Sequence, residues 1–201
     1  MLTIIGKATS INVRKVLWTC TELGVPFTRR DWQDGDAPLN PNRMVPVLVD
    51  GDFVLWESHA ICRYLCNRYG GAVLLPPTRQ AQPRARVEQW MDWQATELNT
   101  AWRYAFMALV RGSSAHRDPA QIEAGVNNWN RHVGLLDAQL GATGAYVAGD
   151  AFSLADIVLG LSVNRWRMTP MARPDYPHVA AWYARLAERP GFNDWCDNGV
   201  A

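Results

Sequence analysis

The sequence predicts a small α/β domain built on a four-stranded mixed sheet, followed by an all-helical domain. Three observations predict it. Short apolar runs alternate with helical patterns over the first third of the chain. Two apolar runs flank Asp50-Gly51-Asp52 as the strands of a hairpin would. Beyond LLPPTRQAQPR (74–84), a stretch with three prolines, nearly every segment carries helical periodicity. The expected division is 1–75 for the first domain, 76–83 for a linker and 84–201 for the helical domain.

LTII (2–5) reads as the first strand. Val13, Val16, Leu17, Cys20 and Leu23 then recur at helical spacing, and Gly24 stands where a helix-terminating glycine belongs. FTRRDW (27–32) reads as a short second strand. Because a helix joins the first two strands, they should run parallel. PVLV and FVLW add an antiparallel pair, and Ser58 opens a helix that runs to about Tyr69 and closes on Gly70-Gly71. In the second half the spacing predicts one long helix over 84–111, a second over 119–140, a third opening at Ser153-Leu154-Ala155-Asp156 and a fourth over 177–189. There is no internal repeat.

Composition excludes several classes. With 48% hydrophobic and 19% charged residues the chain reads as an ordinary globular protein, and disorder fits poorly. The net charge of +1 offers no basic stripe for nucleic acid. Lys7 and Lys15 are the only lysines, and arginine supplies every other side-chain positive charge, which reads as compositional bias more than as phosphate binding. The four cysteines (Cys20, Cys62, Cys66, Cys196) form no CxxC and no metal-ligand cluster, so free thiols in a reducing compartment and no metal are expected. MLTIIGK is too short an apolar run for a signal peptide, and no segment approaches the roughly 20 apolar residues of a membrane helix. No membrane association and a cytoplasmic location are the expectation.

Two junctions concentrate polar chemistry. In GKATSINVRKVLW (6–18), Thr9, Ser10 and Asn12 fall together at a strand-to-helix turn. Each could cap the helix, and together they could hold a ligand's sulfur or phosphate. In Glu57-Ser58 a serine at a helix amino terminus suits a carboxylate, with a plain cap and an acidic neighbour drawn to the helix dipole as the alternative. Ser153 and Asp156 form an S-x-x-D pattern of the capping-box kind, read as structural.

Four stretches, in order and at sensible distances, carry a resemblance: TSINVRKVLW, NPNRMVPVLVDGDFVLWES, the ESHAICRYL helix and YVAGDAFSLADIVLG. Through them nearly the whole chain resembles the cytosolic glutathione S-transferases, closest to the bacterial branch that shares a serine-type active site with theta and phi enzymes. The resemblance implies a thioredoxin-like first domain, glutathione as co-substrate, a small hydrophobic electrophile as second substrate, and a homodimer pairing the small domain of one subunit with the helical domain of the other. It places the thiol-activating hydroxyl at Ser10 with Asn12 beside it, leaving Thr9 as an alternative. It makes Val45-Pro46 a cis peptide whose Val45 backbone pairs with the tripeptide. It gives Glu57 the γ-glutamyl ammonium and Ser58 the neighbouring carboxylate.

The chemistry required is modest. A free thiol has a pKa near about 8.5, so little thiolate exists at neutral pH. A charge-assisted hydrogen bond contributes roughly 1.5–3 kcal/mol and a helix terminus roughly 0.3–1 kcal/mol. At about 1.36 kcal/mol per unit, these lower the thiol by about two units without a general base.

The segment RRDWQDGDAPLNPNRMVP is shorter than in relatives, which usually meet the glycine carboxylate there. Arg43 is a candidate substitute, with a solvated surface arginine as the plain alternative. Trp102, Arg103, Phe106 and Trp166 are candidates for the electrophile pocket, although aromatic residues at helical spacing are more often core. Two other functions fit the same resemblance. One is glutathione-dependent thiol or peroxide reduction, weakened because serine and no cysteine stands at position 10. The other is a catalytically silent binding or regulatory protein.

Overall fold

The computed structural model describes residues 2–201. Four strands, β1 (Leu2–Ile5), β2 (Phe27–Arg30), β3 (Val47–Asp50) and β4 (Phe53–Trp56), form one sheet in the order β2-β1-β3-β4. β1 pairs parallel with β2 and antiparallel with β3, and β3 pairs antiparallel with β4. This is the mixed sheet expected. The side chains of Leu2, Ile4 and Leu48 on one face of the sheet join a buried cluster with α1 (Ile11–Leu23) and α2 (Ser58–Tyr69). Gly24 and Gly70 end these helices in the left-handed region, each N–H returning to a carbonyl of the last turn.

The helical half begins earlier than the prolines suggested. α3 runs Ala81–Trp93 and so starts inside the segment read as a linker. Pro83 lies in its first turn, where the missing N–H has no helical partner to lose. The single long helix expected over 84–111 is instead α3, a wide π turn at Gln94–Leu98 and α4 (Asn99–Leu109). α5 (Pro119–Thr143), α6 (Leu154–Met168) and α7 (Pro177–Leu186) follow, and a second π turn closes the chain at Phe192–Cys196. From Leu154 to Trp166 every residue of α6 is buried, because this helix is surrounded by the others.

The two halves share one core. Trp18 of α1 is fully buried and its ring lies 6.1 Å from both Phe152 and Phe192. A side chain at Gly191 would place its Cβ 2.2 Å from the Trp18 ring, so only glycine lets the closing segment approach α1 this closely. The Arg14 Nη1 donates to Asn198 Oδ1 (3.0 Å) and the Val200 carbonyl (2.9 Å), tying the chain end to α1. Among the described residues no helix is long and apolar enough to cross a membrane, and no three metal-ligating side chains cluster.

Candidate functional site

β1 delivers the chain to the site through Gly6. Its φ of 144° and the 2.5 Å that would separate an added Cβ from Val13 make glycine the residue that fits there. The same hypothetical Cβ would lie 2.9 Å from Val45, so Gly6 lets the start of α1 and the Val45 loop come together. The Ser10 N–H donates to the Lys7 carbonyl at 3.0 Å, and the Ser10 carbonyl accepts the first helical bond from Arg14 at 3.0 Å. Ser10 is thus the N-cap of α1 by backbone geometry, yet its side chain makes no cap bond. The hydroxyl, half-buried, is uncommitted beside first-turn N–H groups that lack a side-chain acceptor. Thr9 is more exposed.

The loop before β3 is held by Asn40. Its Nδ2 donates to the Met44 carbonyl (2.8 Å), and its Oδ1 accepts the Asn42 N–H (3.0 Å). Upstream, both terminal nitrogens of Arg30 donate to the Asp36 carboxylate at 2.6 Å, and the Gln33 N–H adds a third bond at 2.8 Å. These contacts hold the Asp36 carboxyl down to about 2, the Arg30 hydrogen bonds first among the causes. The short segment therefore folds as a 3₁₀ turn over Asp34–Leu39 pinned to the end of β2. It presents Val45-Pro46, whose peptide is cis.

After β4 the backbone turns sharply at Glu57, with φ 72° and ψ 111°. A glutamate in this region costs on the order of 1–3 kcal/mol, retained because β4 and α2 fix both sides of it. Ser58 is the first residue of α2 and is buried, while Glu57 is exposed. Neither side chain caps the helix.

These elements enclose a cleft of about 420 Å³ lined by Asn12, Asn40, Met44 and Val45-Pro46 on one side and Glu57-Ser58 on the other. Five of the expected residues thus meet: Asn12, Val45, Pro46, Glu57 and Ser58. Ser10 stands at the adjacent helix start and does not line the cleft. Arg43, exposed and at φ 52°, lines a neighbouring cleft of about 400 Å³ with Lys7, Asp31 and Trp32. The two clefts share Met44 and Val45. Sequence reading passed over Asn40 and Asn42, although Asn40-Pro41-Asn42 is the kind of Asx-turn sequence that could have marked them.

The electrophile candidates do not join this group. Trp102, half-buried, and Phe106, buried, form a T-shaped pair at 5.2 Å backed by Trp129. Trp166 donates from Nε1 to Asn130 Oδ1 (2.8 Å) and lines a separate cavity beside α7. Arg103 is exposed. None of the four lines the cleft that holds Ser58.

Just behind the site lies a polar bridge between the halves. The Lys15 Nζ donates to Gln94 Oε1 (2.7 Å) and meets His59 Nε2 (3.1 Å). Gln94 then donates to Ser162 Oγ and Asn99 Oδ1, each at 3.0 Å. Burial pushes the Lys15 ammonium down to about 7 and the His59 imidazolium well below its ordinary range. Gln94 opens the π turn, so the widened backbone coincides with the residue that reaches both α1 and α6.

Comparison with known proteins decides the family. Residues 4–73 match the family model "Glutathione S-transferase, N-terminal domain", and residues 119–185 match "Glutathione S-transferase, C-terminal domain". The chain belongs to the glutathione S-transferase family. It is 37% identical over 202 residues to glutathione S-transferase GstB of Escherichia coli, covering 94% of this chain and 95% of that one. It is 33% identical to glutathione S-transferase 3 of Zea mays, covering 95% and 91%. The crystal structure of the theta class glutathione S-transferase of Xanthomonas axonopodis pv. citri with glutathione bound superposes with a TM-score of 0.89 at 36% identity, covering 100% of this chain and 99% of that one. The expected family and two-domain transferase fold are both borne out.

Proposed function

We propose that this transferase binds glutathione in the Val45–Ser58 cleft, ionises its thiol at the amino end of α1 and directs the thiolate at a small hydrophobic electrophile. The observation that carries the reading is the cleft itself. It gathers a cis Val45-Pro46 edge, a buried serine opening a helix and an exposed glutamate, beside a helix start whose N-cap hydroxyl is unspent.

Each group has one task. The Ser10 hydroxyl donates a hydrogen bond to sulfur, and the positive end of α1 adds to it. Asn12 holds the cysteinyl end. The Val45 backbone pairs with the peptide as an added strand would. Ser58 and the free N–H groups of α2 take the γ-glutamyl carboxylate, with Glu57 on the ammonium. Arg43, across the shared Met44-Val45 ridge, receives the glycine carboxylate. The sulfur attacks the electrophilic carbon as the leaving group departs with its bonding pair, or adds across an activated double bond. We place the enzyme in the cytoplasm and as a homodimer.

Glutathione-dependent reduction through a protein thiol fits less well. All four cysteines are buried, and burial raises every one of their thiols, Cys20 to about 12. Titration with glutathione near neutral pH, followed by thiolate absorbance in the ultraviolet, tests the proposal. Saturable thiolate is expected, and binding without ionisation would point to a silent carrier.

A further inference from the structure

Lys7 and Lys15 are the only lysines of this chain, and Lys15 directly follows an arginine. The choice matters because a buried amine can give up its proton, whereas a guanidinium does not. Lys15 is 1% exposed, and its Nζ reaches Gln94 Oε1 at 2.7 Å and His59 Nε2 at 3.1 Å. Both partners are neutral, since burial and the charges of Lys15 and Arg63 keep the His59 ring unprotonated. Among the described residues no carboxylate lies within ion-pair distance of Lys15.

The groups that face Lys15 from the surrounding elements supply no buried anion. Cys62 of α2 is a thiol pushed up to about 11 by burial, and the Thr19 hydroxyl donates to it at 3.3 Å. Arg165 of α6 has the same sign as Lys15; it lies 4.7 Å from the centre of the Trp102 ring and 4.2 Å from that of Phe106, and forms no ion pair among the described residues. Glu57 is the carboxylate whose charge reaches Lys15, and it is exposed in the glutathione cleft. Burial therefore wins and holds the amine down to about 7. His59 immediately follows Ser58 in the first turn of α2, and Asn12 lies in the first turn of α1, so the Lys15–His59 contact joins the two helices whose first turns line the cleft. Bridging them does not require a group that can carry charge.

We infer that Lys15 is a buried counter-cation for the γ-glutamyl carboxylate, acting through His59 and the first turn of α2. The inference rests on the glutathione reading of the cleft and makes Lys15 a positioning residue, one that does not touch the ligand. An anion arriving at Ser58 favours the charged form of the amine, so Nζ takes up a proton from solvent as the ligand binds. The sign follows directly. Below pH 7 the amine is already charged and binding is at full strength, whereas above it each binding event must also protonate Lys15, so affinity falls as pH rises. Ionisation of the glutathione thiol releases a proton and runs the opposite way, so a ligand without a thiol isolates the effect.

The test is calorimetric titration of the intact enzyme with S-methylglutathione at pH 7.5, in two buffers of different ionisation enthalpy. Binding should draw about half a proton from the buffer, and the wild-type affinity should fall from pH 7 to 8. Lys15→Met should abolish the uptake and weaken the ligand about tenfold, the equivalent of one unit of lysine shift. Gln94→Glu keeps the lysine and the bridge but gives the amine a permanent carboxylate partner, and should also abolish the uptake. Binding without proton uptake in the wild type, or uptake that survives both substitutions, would overturn the counter-cation and leave the cleft reading intact. Absence of binding would overturn both.

Discussion

Two helices of this chain have a serine as N-cap, and the chain treats them in opposite ways. At α6, Ser153 and Asp156 are buried and fully engaged. Asp156 Oδ2 accepts from both the N–H and the hydroxyl of Ser153, and Oδ1 accepts from the Val147 N–H and the Trp182 indole, all at 2.9 Å. At α1, Ser10 has the backbone of an N-cap and a hydroxyl that caps nothing. The difference teaches where this protein invests in stability and where it leaves polar groups to a ligand. A helix start inside the core must satisfy its own donors, whereas one at the edge of a cleft keeps them for what enters.

The contrast can be broken most forcefully at α6. Asp156→Ala strands four donors in the core and should destabilise the fold by about 3–5 kcal/mol, read as a shift of the denaturation midpoint. The folded fraction should still ionise bound glutathione. A mutant of wild-type stability would show that the buried network carries little.

At α1 the expected effects are reversed. Ser10→Ala should reduce conjugation about 100-fold, the equivalent of roughly 2–3 kcal/mol of lost thiolate stabilisation. Its stability should change by less than about 0.5 kcal/mol, against the ~1 kcal/mol typical of a serine cap, because no cap bond is lost. Near-normal turnover would transfer the role to Thr9 or Asn12.

A smaller effect puts the contrast on a pH axis. Lys15 ionises near 7 in the fold but at 10.5 when unfolded, so above pH 7 the unfolded chain holds a proton that the folded one has released. Stability should therefore rise with pH from 7, by at most about 1.36 kcal/mol per unit, and the gain from this residue is absent below 7. The buried thiols act in the opposite direction. Their ordinary value is 9.0 and Cys62 is pushed up to about 11, so above pH 9 the unfolded chain loses thiol protons first and stability falls. A maximum near pH 8.5–9 is expected in chemical denaturation, and Lys15→Met should flatten the limb between 7 and 8.5. A limb unchanged in that variant would remove Lys15 from the account.

Much of this was legible in the sequence. The apolar runs flanking Asp50-Gly51-Asp52, the glycines after α1 and α2, and the S-x-x-D before α6 are local signals, and each marks its element in the structure. The prolines misled at α3, since Pro83 is as compatible with a first helical turn as with a linker. The π turn at Gln94 had no local mark, because the residues on either side are ordinary helix formers and the turn sits where Gln94 bridges α1 and α6. At the site, Asn12, Val45, Pro46, Glu57 and Ser58 were picked out as motifs, and they meet in one cleft. Trp102 and Phe106 were picked out as pocket aromatics, whereas Arg165, the charge lying over them, was passed over.

By itself the sequence determined the strands, most of the helices and the helix-capping chemistry, because these follow from residue spacing and local backbone preference, and its motifs carried the family resemblance. Only the tertiary structure decided which serine is spent and which is free, that burial lowers Lys15 to about 7, and that Arg165 lacks a counter-ion. Those are statements about which groups exclude water from which others. For Lys15 they depend on His59 and Gln94, tens of residues away along the chain.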